Sequence, residues 1–183
     1  MQFENVIRTE SKLQKLRENV DEYGLIREDA LLSLLSLELD RKTPVSVVVC
    51  QIEGLNELHF KHSEFVGSFL AQFSEFLSER RRSADYYGRV GKDFVMVLID
   101  TDVHGSRQFC DRLRDGTETK PGWKVELLSC IARAARKVPE GNLVLSHIRD
   151  SNFGSLKLGF ASVNEGESAN ELIKRAKLSM FLT

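Results

Sequence analysis

Apolar residues recur along this chain at two spacings. From Ser63 to Arg80, the residues Phe65, Val66, Phe69, Leu70, Phe73, Phe76 and Leu77 fall on one stripe at the helical period. A phenylalanine stripe of this kind reads as core. PVSVVVCQI (Pro44 to Ile52) is instead a nearly continuous β-branched run, which predicts a strand buried on both faces. Tyr86 to Val90 and Phe94 to Ile99 flank Gly91-Lys92-Asp93 and predict a hairpin. NLVLSHI (142–148) and LKLGFASV (156–163) read as further strands. EDALLSLLSLELDR, the stretch from about Gly105 to Arg114, and WKVELLSCIARAARKV after Pro121-Gly122 read as helices. Ser168-x-x-Glu171 is a capping box for a last helix carrying Leu172, Ile173, Ala176 and Met180. Near the start, Val6, Leu13, Leu16, Val20 and Tyr23 are spaced for an amphipathic helix that Gly24 ends. Packing on its own domain and dimerisation as a linker suit that helix equally.

Helices and strands in this order predict an α/β fold, a central sheet covered by helices. The expected division is an N-terminal helix or linker over residues 1–23 and one domain over 24–183. Composition narrows the class. The 183 residues are enough for a core without staples, and a net charge of −1 argues against a dedicated nucleic-acid binder. Cys50, Cys110 and Cys130 sit in or beside apolar runs without metal-ligand spacing, so they read as buried free thiols in a reducing compartment. His59, His62 and His104 lack ligand spacing and read as surface or loop residues, so no metal site is expected from them. No apolar run is long enough to span a bilayer, and a cytoplasmic protein without direct membrane insertion is expected.

Several short pieces stand together in an informative order: DEYGLIRE (21–28), the hairpin GRVGKDFVMVLI, DRLR (111–114) and ELIKRAKLSMF (171–181). This arrangement resembles the GGDEF domain of diguanylate cyclases, which condense two GTP molecules into cyclic di-GMP. The resemblance covers Gly24 to Met180 and implies a nucleotidyl-cyclase-type central mixed β-sheet covered by helices. It also locates departures. The family's strand-end metal ligand falls on Gln51, and the acid of its hairpin turn falls on Lys92. The turn is one residue short, leaving Gly91 of a glycine pair, followed by Asp93. The family's guanine-reading asparagine and aspartate fall on His59 and Ser68. Phosphoryl transfer needs metal ions held by oxygen anions. Loss of these groups implies a degenerate GGDEF domain with no catalytic residues, no Mg²⁺ and no other cofactor, although Glu53 and Asp93 remain as acids. Lys174 and Lys177 lie where the family's closing helix meets phosphate, with Lys177 in place of an acid.

The stretch Arg80 to Asp85, RRRSAD, carries a second family feature, the Arg-x-x-Asp product-binding inhibitory site (I-site) just before the hairpin. Arg82 and Asp85 match it, and a supporting arginine falls on Arg112; Arg81 and Arg89 are additional candidate contacts. An arginine fork reads O6 and N7 of guanine or grips phosphate, and a carboxylate accepts from N1 and N2. The implied function is a cyclic di-GMP receptor in second-messenger signalling, without a nucleic-acid polymer as partner. A ligand-bridged homodimer and an unidentified protein partner or fused domain are further expectations. Rival readings are a ligand-free interaction or dimerisation scaffold and, third, an active cyclase. The bland reading of RRRSAD is a solvated basic end complementing a helix dipole. The stretch around 123–137 is either a docking surface or plain covering of the sheet.

Overall fold

The structure, a computed structural model, describes residues 11–149, 151 and 153–181. Its centre is β1 (Val45–Ile52), whose β-branched run is buried on both faces apart from half-buried Gln51. β1 pairs with β3 (Asp93–Ile99) on one side and β4 (Leu156–Ser162) on the other, and β2 (Tyr86–Val90) closes the β3 edge. The order is β2-β3-β1-β4. All four-strand pairing is antiparallel, where a mixed sheet was expected; a parallel pairing occurs as the isolated bridge Ile26–Gly88.

Alternation along the strands divides the core into two. Val45, Val47 and Val49 join Val95 and Val97 beneath α2 (Glu28–Asp40) and α8 (Ala169–Ser179). Val48, Cys50 and Ile52 join Phe94, Met96 and Leu98 beneath α4 (Ser63–Ser78) and α5 (Val103–Asp115). The stripe on α4 is core, as its periodicity predicts. Phe73 meets Phe94 edge-on at 4.6 Å and Trp123 at 5.1 Å between ring centroids. Trp123 opens α6 (Trp123–Ala135), which therefore packs on α4, and its Nε1–H donates to the Gly154 carbonyl at 2.9 Å. The three cysteines are buried and free. The capping box at Ser168 and Glu171 forms on α8.

Two expectations need correction, and one element went unpredicted. NLVLSHI lies in a helix, α7 (Gly141–Arg149), rather than a strand. Val144 is buried and Ile148, four residues on, packs against the core, whereas Leu143 and Leu145 are exposed, which is helical spacing read as alternation. The N-terminal helix, α1 (11–17), stops before Val20 and Tyr23, and Val6 lies outside the described residues. Asp21 Oδ1 accepts from the Tyr23 and Leu25 amides at 2.9 and 3.0 Å, a local turn that competes with helix. A short helix, α3 (Leu55–Lys61), also went unpredicted because only Leu55 and Leu58 face inward.

The segment after α1 augments the β2 edge. Ile26 N–H donates to the Tyr87 carbonyl at 2.9 Å, and Arg89 N–H donates to that of Ile26 at 3.1 Å. This approach explains Gly88, where a Cβ would lie 2.4 Å from the Ile26 oxygen. On the far side of β2, Tyr86 donates to the buried Glu38 at 2.6 Å and accepts from Arg17 at 3.1 Å, holding α1 to the sheet. Truncating the centre of the aromatic cluster, Phe73→Ala, should destabilise the chain by about 3–5 kcal/mol in urea denaturation. A loss below about 1 kcal/mol would contradict this packing.

Candidate functional site

Antiparallel pairing brings the end of β1, the β2–β3 turn and the start of β4 to one end of the sheet. There Gln51, Glu53, Lys92, Asp93 and Lys157 line a hollow of about 180 Å³. Asp93 is buried, and both of its oxygens are engaged. Gln51 Nε2 donates to Oδ1 at 2.5 Å, and Lys177 of α8 forms an ion pair with Oδ2. Glu53 is ion-paired with Lys157, whose hydrogen bond holds the carboxyl below the usual range. At the turn, Gly91 has φ 58° and is the first of two loop residues, a position that favours glycine. Its N–H donates to Glu28 Oε2 at 2.8 Å, so even the turn amide is used internally. Mg²⁺ requires a near-octahedral set of oxygen ligands. An amide and two ammonium groups around these acids do not fit that requirement.

The positions aligned with base recognition do not converge. His59 is exposed on α3, whereas Ser68 on α4 has a buried, unpartnered Oγ. Next to Ser68, the Tyr23 hydroxyl lies 3.3 Å from where a Cβ on Gly67 would stand. His62, expected at the surface or in a loop, does lie at the junction of two helices, but it is not at the surface. It is buried between α3 and α4, and its Nε2 bonds His147 Nδ1 of α7 at 2.7 Å. The misassigned strand had hidden His147.

At the other end of β2, the three arginines of RRRSAD separate into different roles. Arg80 is structural: it donates to the Phe76 carbonyl at 2.8 Å and to that of Pro121, and stacks 3.8 Å over the Phe76 ring. Arg82 donates to Thr101 Oγ1 at 3.0 Å and lies 3.5 Å from Asp85 Oδ2. The side chains of Arg81 and Arg112 make no hydrogen bond or ion pair among the described residues; Arg112 sits 6.0 Å over the Phe109 ring. These two guanidiniums line a hollow of about 300 Å³ with Phe109, Thr117 and Lys120, and Arg82 is not part of its wall. Lys120 is itself tied to the Glu79 carbonyl. Arg81, Arg82 and Arg112 all act on the buried phenol of Tyr87, lowering a pKa that burial pushes up.

Asp85 departs from its expected role. Its side chain is 1% exposed, and it accepts from the Arg82 and Ile99 amides at 3.2 Å each. The carboxylate faces inward to fasten β2 to the end of β3 and does not present itself to a base. Burial raises its pKa despite these bonds. Arg89 lies 5.7 Å over Phe94, with a buried Nε that lacks a partner among the described residues.

The fold has close counterparts among solved structures. The diguanylate cyclase SiaD of Pseudomonas aeruginosa, solved with its activator SiaC, matches with a TM-score of 0.65 at 15% identity, over 98% of this chain and 63% of that one. The GGDEF domain of DgcB from Caulobacter crescentus, solved with c-di-GMP, matches with a TM-score of 0.63 at 12% identity, over 90% and 88%. The fold is that of GGDEF domains. FimX from Pseudomonas aeruginosa supplies another GGDEF-domain match, with a TM-score of 0.59 at 14% identity over 89% and 91%. In sequence, the diguanylate cyclase DgcS of Shewanella oneidensis is 26% identical over 92 residues, 50% of this chain and 31% of that protein. The chain thus spans about a third of that curated relative. No family model matches. Among the described residues, no helix of this GGDEF-like chain is long and apolar enough to cross a membrane.

Two stability measurements check this geometry. Lys177→Met should cost about 1–3 kcal/mol, because it leaves Asp93 buried beside Gln51 without a cation, while the lysine it removes is partly exposed. Adding Asp93→Asn should recover most of that loss; an uncoupled pair in this cycle would show that the ion pair is not formed. Asp85 gives a pH signature. With its folded pKa raised, it favours the native state below about pH 4, and that contribution is lost as pH rises through the raised value. Urea midpoints across this window should therefore rise less with pH in the wild type than in Asp85→Asn. Parallel curves would place Asp85 in solvent.

Proposed function

We propose that the chain is a catalytically inactive GGDEF-like domain that acts as a cyclic di-GMP receptor. The observation that carries this reading is the contrast between the two ends of β2. At the hairpin end, the acids that could hold metal are ion-paired with Lys177 and Lys157, and Gln51 donates a further hydrogen bond to Asp93. At the other end, the side chains of Arg81 and Arg112 stand unpaired among the described residues at one hollow, with Arg82 beside them. A groove with two available guanidiniums suits a ligand that presents two phosphates and two guanine edges. In this reading Arg81, Arg82 and Arg112 hold the ligand. Asp85 positions Arg82 and the strand edge, and Arg89 remains an adjacent candidate contact.

Support also comes from relatives. The DgcB domain was solved with c-di-GMP, and a further GGDEF domain of the same fold, TM-score 0.56, was solved in another interaction with that dinucleotide. Ligand occupancy would be relayed to a protein partner or a fused domain, and a ligand-bridged homodimer is one form of that relay. SiaD was solved with its activator SiaC, which supports a protein partner for this chain. A second reading, a ligand-free scaffold, is favoured by Val125 and Leu128 on α6 and Leu143 and Leu145 on α7, all exposed.

Isothermal titration separates the two. Cyclic di-GMP should bind the wild type at micromolar concentration or tighter, and Arg82→Ala and Arg112→Ala should each weaken it at least about tenfold, the size of a lost charge-assisted contact. Ligand should also raise the melting temperature, whereas GTP should not. No heat with the wild type would leave the scaffold as the better account. An unchanged sedimentation coefficient on ligand addition would exclude the bridged homodimer.

A further inference from the structure

Four buried side-chain atoms have no hydrogen-bond partner among the described residues: Ser68 Oγ, Ser74 Oγ, Tyr87 OH and Arg89 Nε. Two of these four residues line one cavity. Ser74 and Tyr87 line a crevice of about 270 Å³ between α4, β2 and the turn at Tyr23 to Leu25. Both residues are more than nine-tenths buried, at 6% and 3% exposure. A buried hydroxyl without a partner destabilises the fold, because its lost hydration is not replaced. Native folds rarely carry two such residues on one cavity unless something else uses them.

The crevice has a definite chemical composition. Tyr23 and Tyr87 supply aromatic surface, Leu25 and Ala71 supply apolar surface, and Glu75 and Arg81 bring an acceptor and a donor. Such a lining suits a planar ring with hydrogen-bonding groups along its edge, and the volume is that of a small ring system rather than a larger ligand. Its neighbour supplies the complementary half. Arg81 also lines the hollow that contains Arg112 and Lys120, so the two cavities share a guanidinium. Apolar and hydroxyl surface on one side of Arg81 and unpaired positive charge on the other match the base and the phosphate of a single nucleotide.

We infer that the crevice formed by Tyr23, Ser74, Arg81 and Tyr87 holds the base of a nucleotide whose phosphate lies in the adjoining arginine hollow. The inference rests on the receptor reading above and assigns it a base-binding half on α4. Ser74 and Tyr87 donate to, or accept from, the ring edge, and the phenol acquires the partner that the unliganded fold does not give it. Removing either hydroxyl therefore has opposite effects on ligand and fold. Ligand loses a contact, while the empty protein loses an unsatisfied buried group.

The test is titration of cyclic di-GMP and, separately, guanosine monophosphate into the wild type, Tyr87→Phe and Ser74→Ala, with melting temperatures taken without ligand. Each variant should melt at or above the wild-type temperature and bind about five- to tenfold more weakly. If cyclic di-GMP binds the wild type and both variants equally, the crevice is not the base site, and the receptor reading stands without it. If cyclic di-GMP fails to bind but the monophosphate binds and weakens in Tyr87→Phe, the crevice survives and the receptor reading falls. If neither nucleotide binds, both are wrong.

Discussion

A strand paired on both edges and buried on both faces has no freedom to slide. β1 is that strand, and its register against β3 and β4 fixes the rest of the molecule. A one-residue slip would move the valines of one core into the other. The same register places Gln51 opposite Lys157 and brings Asp93 to the end of the β1–β3 ladder. The chemistry at this end of the sheet is therefore decided by packing in the middle. Once β1 is seated, the side chains at its end can meet only the groups that β3, β4 and α8 deliver.

What they deliver is positive charge. Two carboxylates near a sheet end suggest a metal site, but each has a lysine from another element in contact. A buried carboxylate strongly disfavours solitude, and a lysine from the same chain satisfies it without drawing on solution. Such a pair forms on folding and persists, whereas a metal site must leave its oxygens open for an ion. At the other end of β2 the balance reverses. Arg80 and Lys120 are used up on backbone carbonyls, and Arg82 is steadied by Thr101 and Asp85 with its side chain still exposed, while the side chains of Arg81 and Arg112 keep their donors among the described residues. The basic run is therefore neither a plain helix end nor a uniform ligand patch. One residue is a staple, one is held in position, and one stands open.

Sequence periodicity revealed most of the fold because the strongest patterns are also the most buried. The α4 stripe, the β1 run, the hairpin and the α8 capping box can be read directly. The α7 segment cannot, since four apolar residues within six fit both periods and only burial tells that Val144 and Ile148 are the inward pair. The site was legible in part. Residue types at Gln51, Lys92 and Lys177 signalled a changed hairpin end, but the clamp on Asp93 depends on the reach of α8, which spacing does not express. Asp85 illustrates the same limit, because a motif gives a residue's position and not the direction of its side chain. Ser74 and Tyr87 carry no motif at all; their sequence signal is only a serine and a tyrosine at inward positions of otherwise apolar elements.

The central claim is that the acids at the hairpin end are internal ion pairs rather than a metal site that turns over GTP. Incubation of the chain with GTP and Mg²⁺, followed by chromatographic and mass analysis for cyclic di-GMP, tests this most directly. The account predicts no product above the protein-free control, in the wild type and in Asp93→Asn alike. Product that accumulates with the wild type and disappears in Asp93→Asn would contradict it.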